Sequence, residues 1–200
     1  IELSQQQTKD AAKYKVLGVT SDEALVLSDT TRLIGDFEIT VSTVASKADN
    51  SVLGYAVEAP SITKSGYADR ITLMVGFKEQ EGETVVNLVE VLSQKETPGL
   101  GANMTKVGNS LERSVVGKSA SQLKFSVTKE GGSFDALTGS TISSRAYANA
   151  VETAYAGYLW ATGRLDTSKE ALEAAPTGAS MPKESITGEP EAQKGEQDNE

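Results

Sequence analysis

The hydrophobic periodicity of this chain changes along its length, and that change constrains the fold. Between residues 36 and 92, short segments carry apolar side chains at every second position. Between residues 142 and 162 the apolar side chains recur at helical spacing. Period two is typical of strands, and a period near 3.6 is typical of an amphipathic helix. We therefore predict an α+β fold, with a mainly antiparallel sheet packed against helices and a long C-terminal helix.

Four segments in the first half of the chain have strand character and are separated by turn-forming residues. The last of them is nearly apolar on both faces, so we expect it at the centre of the sheet. The charged residues 79–83 are expected to join the last two strands as a hairpin. A further strand is expected at residues 123–128. The four main strands are predicted at residues 36–45, 53–59, 71–77 and 85–92.

Composition excludes several classes of function. The 200 residues contain no cysteine and no histidine, and the formal net charge is −9. Disulfides, iron–sulfur clusters, His-ligated haem, the usual zinc sites and a Ser-His-Asp triad are therefore excluded. An acidic chain without a basic patch is not suited to nucleic acid. We expect no metal site and no catalytic residue, so any redox chemistry requires an organic cofactor.

A polar loop rich in hydroxyls, residues 135–144, runs directly into the predicted C-terminal helix. Gly139 allows the backbone to turn tightly and to approach a bulky group. Unpaired N–H groups at a helix N-terminus attract a phosphate. The loop offers hydroxyls beside it from Thr138, Ser140, Thr141 and Ser143, and a fifth follows at Ser144. Ser and Thr are also ordinary N-cap residues. The loop pattern alone is therefore compatible with a phosphate site or with a plain helix cap.

This loop resembles the flavinylation motif of the FMN-binding domain family. That family includes the G subunit of Rnf complexes and the related C subunit of sodium-pumping NADH:quinone reductases. Ser140 stands where the family usually has Ala. Upstream, residues 96–101 read Glu-Thr-Pro-Gly-Leu-Gly and are similar to a segment of the same family. The resemblance covers residues 54–160, and the compact length favours the Rnf protein. The residues that match the flavinylation motif are Asp135, Thr138, Gly139 and Thr141.

The resemblance implies that FMN is joined through its phosphate to Thr141 as a phosphoester. A Thr hydroxyl is a poor nucleophile, and the loop shows no obvious base. A separate Mg-dependent flavin transferase with FAD as donor is therefore expected, as in the family. The Pro98–Gly99 pair also fits a plain type II turn. Besides Thr141, the expected flavin contacts are Thr138, Gly139, Ser140, Glu96, Thr97, Gly99, Leu100 and Gly101.

Several neighbouring residues have two possible roles at this point. Asp135 either presents the loop to the transferase or, as we slightly favour, caps a turn. Arg145 either pairs with the FMN phosphate or makes a surface ion pair. The aromatic residues of the helix either form a flavin cage or, as their helical spacing favours, pack in the core. These aromatic residues are Tyr147, Tyr155, Tyr158 and Trp160.

The resemblance also implies a function: an electron-relay component of a membrane-bound, ion-translocating Rnf-type ferredoxin:NAD oxidoreductase, acting with the other membrane and redox subunits of that complex. Alternatives are the same domain in a quinone reductase or an extracellular electron-transfer chain, or a cofactor-free scaffold. We expect residues 1–30 to be a membrane-proximal helix or linker, 31–165 the FMN-binding domain and 166–200 an acidic, flexible tail. The resemblance implies a single N-terminal anchor in the inner or plasma membrane and an extracytoplasmic flavin domain, and because residue 1 is Ile and not Met, we expect that anchor to lie upstream of residue 1.

Overall fold

The computed structural model describes residues 2–34, 37–62 and 71–164, so the expected acidic tail lies outside the described residues. Short 3₁₀ helices occur at Gly101–Thr105, Ala120–Gln122 and Thr128–Glu130. The main elements, in chain order, are α1 (Glu2–Leu17), β1 (Ala24–Ile34), β2 (Phe37–Ser46), β3 (Val52–Pro60), β4 (Thr72–Gln80), β5 (Glu83–Ser93), α2 (Ser110–Val115) and α3 (Thr141–Ala161).

The strands form one antiparallel sheet in the order β1-β2-β3-β4-β5. The four strands predicted in the first half correspond to β2, β3, β4 and β5, and the long helix corresponds to α3. The predicted hairpin joins β4 to β5, with Gln80 opposite Glu83. Its two central residues, Glu81 and Gly82, have φ of 53° and 82°. Two positive φ values are typical of a type I′ turn, whose twist matches the flanking strands. The predicted α+β fold is confirmed.

Helices cover both faces of the sheet. On one face, Val16 and Leu17 of α1 pack with Val44 of β2 and Met74 of β4. On the other face, α3 packs through its buried small residues and Tyr158 against the alternate side chains of β2, β3 and β4. Burial on both faces explains why several strands are apolar at consecutive positions. The small residues of α3 that face the sheet include Ala146, Ala150, Ala154 and Gly157.

The predicted central position of residues 85–92 is wrong, because β5 lies at the edge of the sheet. Its apolar character follows instead from the helix and loops that cover its two faces. A loop also pairs with part of its outer edge. The N–H of Val86 donates to the carbonyl of Lys118 at 3.0 Å, and the N–H of Gly117 donates to the carbonyl of Val86 at 2.8 Å. This pairing shields part of a strand edge that would otherwise be open.

The strand expected at residues 123–128 is also wrong. This segment is irregular, and only Val127 forms an isolated bridge, to Phe134. Gly131 and Gly132 turn the chain back so sharply that a Cβ on Gly132 would overlap the backbone of Ser126. The carbonyl groups of Lys124 and Ser126 accept hydrogen bonds from the N–H groups of Ser133 and Phe134, which follow the turn. The segment therefore pairs with the chain just beyond it and not with the sheet.

The N-terminal region packs more closely on the sheet than a linker would. Val16 and Leu17 are fully buried, and the Lys13 ammonium lies 3.3 Å from both carboxylate oxygens of Asp29 on β1. β1 starts at Ala24 and pairs along its length with β2. The sheet therefore begins inside the range expected to be a membrane-proximal helix or linker. No helix among the described residues combines the length and the apolar character needed to cross a bilayer.

Gly76 allows α1 to lie close against β4, and this contact generates a first prediction. A Cβ at Gly76 would overlap the carbonyl group of Val16. We expect Gly76→Ala to lower the free energy of unfolding by about 1–3 kcal/mol, because the helix must move off the sheet. Urea unfolding measures this loss. Gln80→Ala, at the exposed end of the same strand, is the control and should change stability by less than about 0.5 kcal/mol. Equal stabilities for the two variants would contradict the close contact.

Glu152 of α3 generates a second prediction. Burial raises the pKa of its carboxyl group to about 7 from an ordinary value of 4.5. Between these values the unfolded chain ionises more readily than the folded one, so stability falls as pH rises through this window. We expect Glu152→Gln to become progressively more stable than the wild type from about pH 4.5 to pH 7, with no gain below it.

Urea unfolding at a series of pH values tests the Glu152 prediction. Gln80→Ala, which removes an exposed side chain without a titratable group, is the control and should show no pH-dependent difference from the wild type. A pH-independent difference between wild type and Glu152→Gln would show that the Glu152 carboxyl is not penalised by burial.

Candidate functional site at the start of helix α3

The loop before α3 is held in shape from within the helix. Ser144 accepts a hydrogen bond from the N–H of Leu137 at 2.9 Å and donates one to the carbonyl of Ser140 at 2.8 Å. Gly139 adopts a φ of 70°, and the N–H of Ser140 donates to the carbonyl of Leu137 at 3.1 Å. These bonds define the path by which the chain enters the helix at Thr141.

The first N–H groups of α3 are open. Ser140 occupies the N-cap position, but its side chain makes no capping hydrogen bond. No acceptor among the described residues receives the N–H groups of Thr141, Ile142 or Ser143. Such groups lie at the positive end of the helix dipole and can bind an anion. A plain cap by the Ser140 side chain, which the loop pattern allowed, is therefore not what the structure contains.

The segment Glu96–Gly101 packs against this helix start. The N–H of Leu100 donates to the carbonyl of Thr97 at 3.1 Å, and Gly99 has a φ of 77°, as the predicted type II turn requires. Beyond the turn, Gly101 lies so close to the helix that a Cβ there would overlap the Ser143 hydroxyl. The fold thus brings the two motif segments together.

Glu96 connects the two segments through its carboxylate. Oε2 accepts a hydrogen bond from the Ser143 hydroxyl, whereas Oε1 is buried and has no hydrogen-bond partner. A buried acceptor without a partner is energetically costly. An unpaired carboxylate oxygen at this position is therefore suited to a ligand that brings its own hydrogen-bond donor.

The remaining predicted site residues differ in their exposure. Thr141 is partly exposed at the first position of the helix, and Ser140 is buried beneath it. Close to Thr141, two apolar side chains remain at the surface: Leu100 is 44% exposed and Ile142 is 56% exposed. Leu100 lies against Gly139, 3.3 Å from the position that a Cβ there would take, and Ile142 follows Thr141 directly in α3. The predicted residues that lie exposed in the two turns are Thr138, Gly139, Thr97 and Gly99.

The structure shows which partners Asp135 and Arg145 have among the described residues. The backbone of Asp135 is bonded to Ser110 and Ser114, but no described residue donates a hydrogen bond to its exposed carboxylate. The favoured role of turn cap for this side chain is therefore wrong. Arg145 donates to Glu130 at 2.7 Å in a surface ion pair.

The aromatic residues of α3 pack mainly in the core, as favoured. Tyr147 and Tyr158 are buried, and burial raises the pKa of both phenols. Tyr158 stacks on Tyr155 with centroids 6.2 Å apart and donates a hydrogen bond to Glu79 at 3.0 Å. These residues pack α3 against the core and do not surround Thr141.

Sequence reasoning counted Ser143 and Ser144 among the hydroxyls of the loop but assigned no partner to either. Ser143 contacts Glu96, and Ser144 shapes the loop. Both are buried, although serine is usually exposed. The available signal was the unusual run of hydroxyls after Thr141. The partner of Ser143 is 47 residues away in the sequence, so the run of hydroxyls did not reveal its contact with Glu96. The partners of Ser144 are local, but the run did not show which of its hydroxyls turns inward.

Comparison with known proteins adds independent evidence. The sequence profile of the FMN-binding domain family matches residues 66–156. Over 161 residues the chain is 31% identical to the G subunit of the Na⁺-translocating ferredoxin:NAD⁺ oxidoreductase complex of Acetobacterium woodii, covering 76% of this chain and 74% of that relative. It is also 38% identical over 107 residues to the G subunit of the ion-translocating oxidoreductase complex of Aliivibrio fischeri, covering 50% of this chain and 47% of that relative.

The antiparallel sheet, the loop before α3 and the family match together define a flavoprotein domain of electron transport. The chain belongs to the FMN-binding domain family, within the group formed by the G subunits of Rnf-type ion-translocating oxidoreductase complexes. The chain spans about three quarters of the Acetobacterium relative and about half of the Aliivibrio one.

The residues present fit FMN. The open N–H groups at the start of α3 suit a phosphate, and the adjacent apolar side chains suit a flat aromatic ring. Gly101 permits close approach of the backbone, and the unpaired oxygen of Glu96 suits a hydroxyl or N–H donor of the cofactor.

The close contact between Gly101 and Ser143 generates a third prediction. We expect Gly101→Ala to lower the free energy of unfolding by about 1–3 kcal/mol, because the added methyl group forces the 96–101 segment off α3. Urea unfolding of the protein measures this loss. Val107→Ala, which truncates a fully exposed side chain, is the control and should stay within about 0.5 kcal/mol of the wild type. An unchanged stability of Gly101→Ala would show that the segment is not packed on the helix.

Proposed function

We propose that this protein carries FMN covalently on Thr141 and relays electrons within an Rnf-type ferredoxin:NAD oxidoreductase complex. The observation that carries this proposal is the contact between the start of α3 and the segment Glu96–Gly101. This contact brings a hydroxyl, open N–H groups and an unpaired hydrogen-bond acceptor next to one another. These groups suit the phosphate and the hydroxyl-bearing ribityl chain of FMN.

The proposed link uses the position of Thr141 at the helix N-terminus. In the phosphoester, the Thr141 oxygen would be bonded to the phosphorus, and the open N–H groups at the start of α3 would hold the phosphate. Those N–H groups and the helix dipole stabilise the negative charge that the phosphate retains. The loop hydrogen bonds of Ser144 hold Thr141 at the end of the helix, so the attachment point does not have to be ordered at each encounter.

Attachment requires a separate transferase. The new bond joins the Thr141 oxygen to the FMN phosphorus of FAD, the pyrophosphate bond breaks, AMP leaves and the hydroxyl proton is taken up by a base. No described side chain hydrogen-bonds to the Thr141 hydroxyl, so none is placed to take its proton. A Mg-dependent transferase would supply the base and the metal that a Thr hydroxyl needs.

When bound, FMN supplies one- and two-electron redox chemistry. The protein's own residues determine where the flavin is held and how exposed it is. Leu100 and Ile142 present an apolar surface beside Thr141 that is open to solvent, so a ring resting there would stay accessible to a neighbouring redox protein. A covalent link retains the carrier without enclosing it.

The partners and location follow the relatives. The Acetobacterium relative is named as part of a Na⁺-translocating ferredoxin:NAD⁺ oxidoreductase complex. By analogy, this chain would work beside the membrane and redox subunits of such a complex at the inner or plasma membrane. An N-terminal membrane anchor and an extracytoplasmic flavin domain complete this proposal.

Intact mass spectrometry of protein produced with an active flavin transferase tests the attachment. We expect a mass gain equal to FMN minus one water in the wild type and none in Thr141→Ala, because only Thr141 offers the reacting oxygen. Ser140→Ala is the matched control: it removes the adjacent hydroxyl, which makes no capping bond, and it should retain the full gain.

Two results would contradict this proposal. Wild-type protein without the mass gain, from cells with proven transferase activity, would rule out covalent FMN. A gain that persists in Thr141→Ala would place the attachment on another residue.

A further inference from the structure

We propose that Ser143 and Glu96 form a clamp for the ribityl chain of the flavin. The Ser143 hydroxyl holds Oε2 of Glu96, and this leaves Oε1 in place to accept a hydrogen bond from a ribityl hydroxyl. This inference rests on the proposed attachment at Thr141 and assigns a positioning role to Ser143.

The first support is the unpaired oxygen itself. Oε1 of Glu96 is buried and has no hydrogen-bond partner, and no described cation forms an ion pair with this carboxylate. Folding has therefore removed one carboxylate oxygen from water without giving it a protein donor. Such a group is costly unless a ligand supplies the donor.

The second support is the way in which the carboxylate is held. Ser143 is 6% exposed and donates its hydroxyl hydrogen to Oε2. Gly101 lies against both side chains: a Cβ at Gly101 would overlap Ser143 and would lie 2.9 Å from both Cβ and Oε2 of Glu96. The carboxylate is therefore fixed by a hydrogen bond on one side and by the backbone on the other, so Oε1 has a defined position.

The third support is the position of the Glu96 carboxylate relative to Thr141. Ser143 follows Thr141 by two residues, which corresponds to about 3 Å along the helix axis but to roughly 200° around it, so the two side chains point to different sides of α3. The Glu96 carboxylate that touches Ser143 therefore lies at the level of the first turn of α3, at the same end of the helix as the proposed attachment point. In FMN the part nearest the phosphate is the ribityl chain, with three hydroxyl donors, whereas the pyrimidine ring lies five carbons or more beyond. The position of Oε1 at this end of α3 therefore favours a contact with the ribityl chain over a contact with the ring.

The test uses flavinylated protein made in cells that are fed ¹³C-labelled riboflavin. We expect Glu96→Ala and Ser143→Ala to shift the ribityl carbon resonances, while C2 and C4 of the ring and the backbone amide spectrum remain close to wild type. We also expect the amplitude of the slow component of the flavin fluorescence anisotropy decay to decrease in both variants, because the ribityl chain is no longer held. Glu130→Ala, which removes an acidic residue that is already paired with Arg145, is the matched control and should match wild type.

Each remaining outcome has a defined meaning. Shifts confined to C2 and C4 would overturn the clamp in favour of a ring contact, and unchanged spectra would leave Glu96 and Ser143 with a packing role only. If a variant takes up no flavin, a crystal structure of the flavinylated wild type decides the question. A ribityl oxygen within hydrogen-bond distance of Oε1 supports the clamp, and a water molecule there overturns it. Absence of flavin from the wild type would instead refute the proposed attachment.

Discussion

The close packing of α3 on the sheet is the contact on which the rest of the structure depends. Small side chains line the buried face of this helix, and Gly157 lies so near β2 that a Cβ there would be 2.8 Å from the Ile39 side chain. Because protein interiors are densely packed, such a contact allows the helix little freedom to shift. Its N-terminus, which carries Thr141, is therefore held in a constant position relative to the strands.

The site at the helix start consists of several weak features that act together. The open N–H groups would bind many anions, and a Pro-Gly turn by itself has no function. Their meaning comes from contact: Gly101 lets the turn segment reach Ser143, and Ser143 holds the carboxylate of Glu96. Neither segment would form this arrangement alone, because each supplies only half of it.

The strand and helix patterns were sufficient to predict most of the fold, including the β4–β5 hairpin and α3. They were insufficient where burial has more than one cause. A strand that is apolar on both faces is central in many sheets, yet β5 is an edge strand, and its apolar character follows from the coverage by α1, α2 and a loop. Likewise β1 is largely exposed, so it lacks the strong alternation that would have revealed it.

The sequence by itself determined the local properties: the periodicity of the strands and of α3, the turn at Pro98–Gly99, and the two motifs of the FMN-binding domain family. Only the tertiary structure decided which hydroxyls face inward, that Arg145 pairs with Glu130, and that one oxygen of Glu96 is left without a partner. The physical reason is range. Backbone preferences act between neighbours in the chain, whereas burial and hydrogen-bond partners depend on residues that only folding brings together.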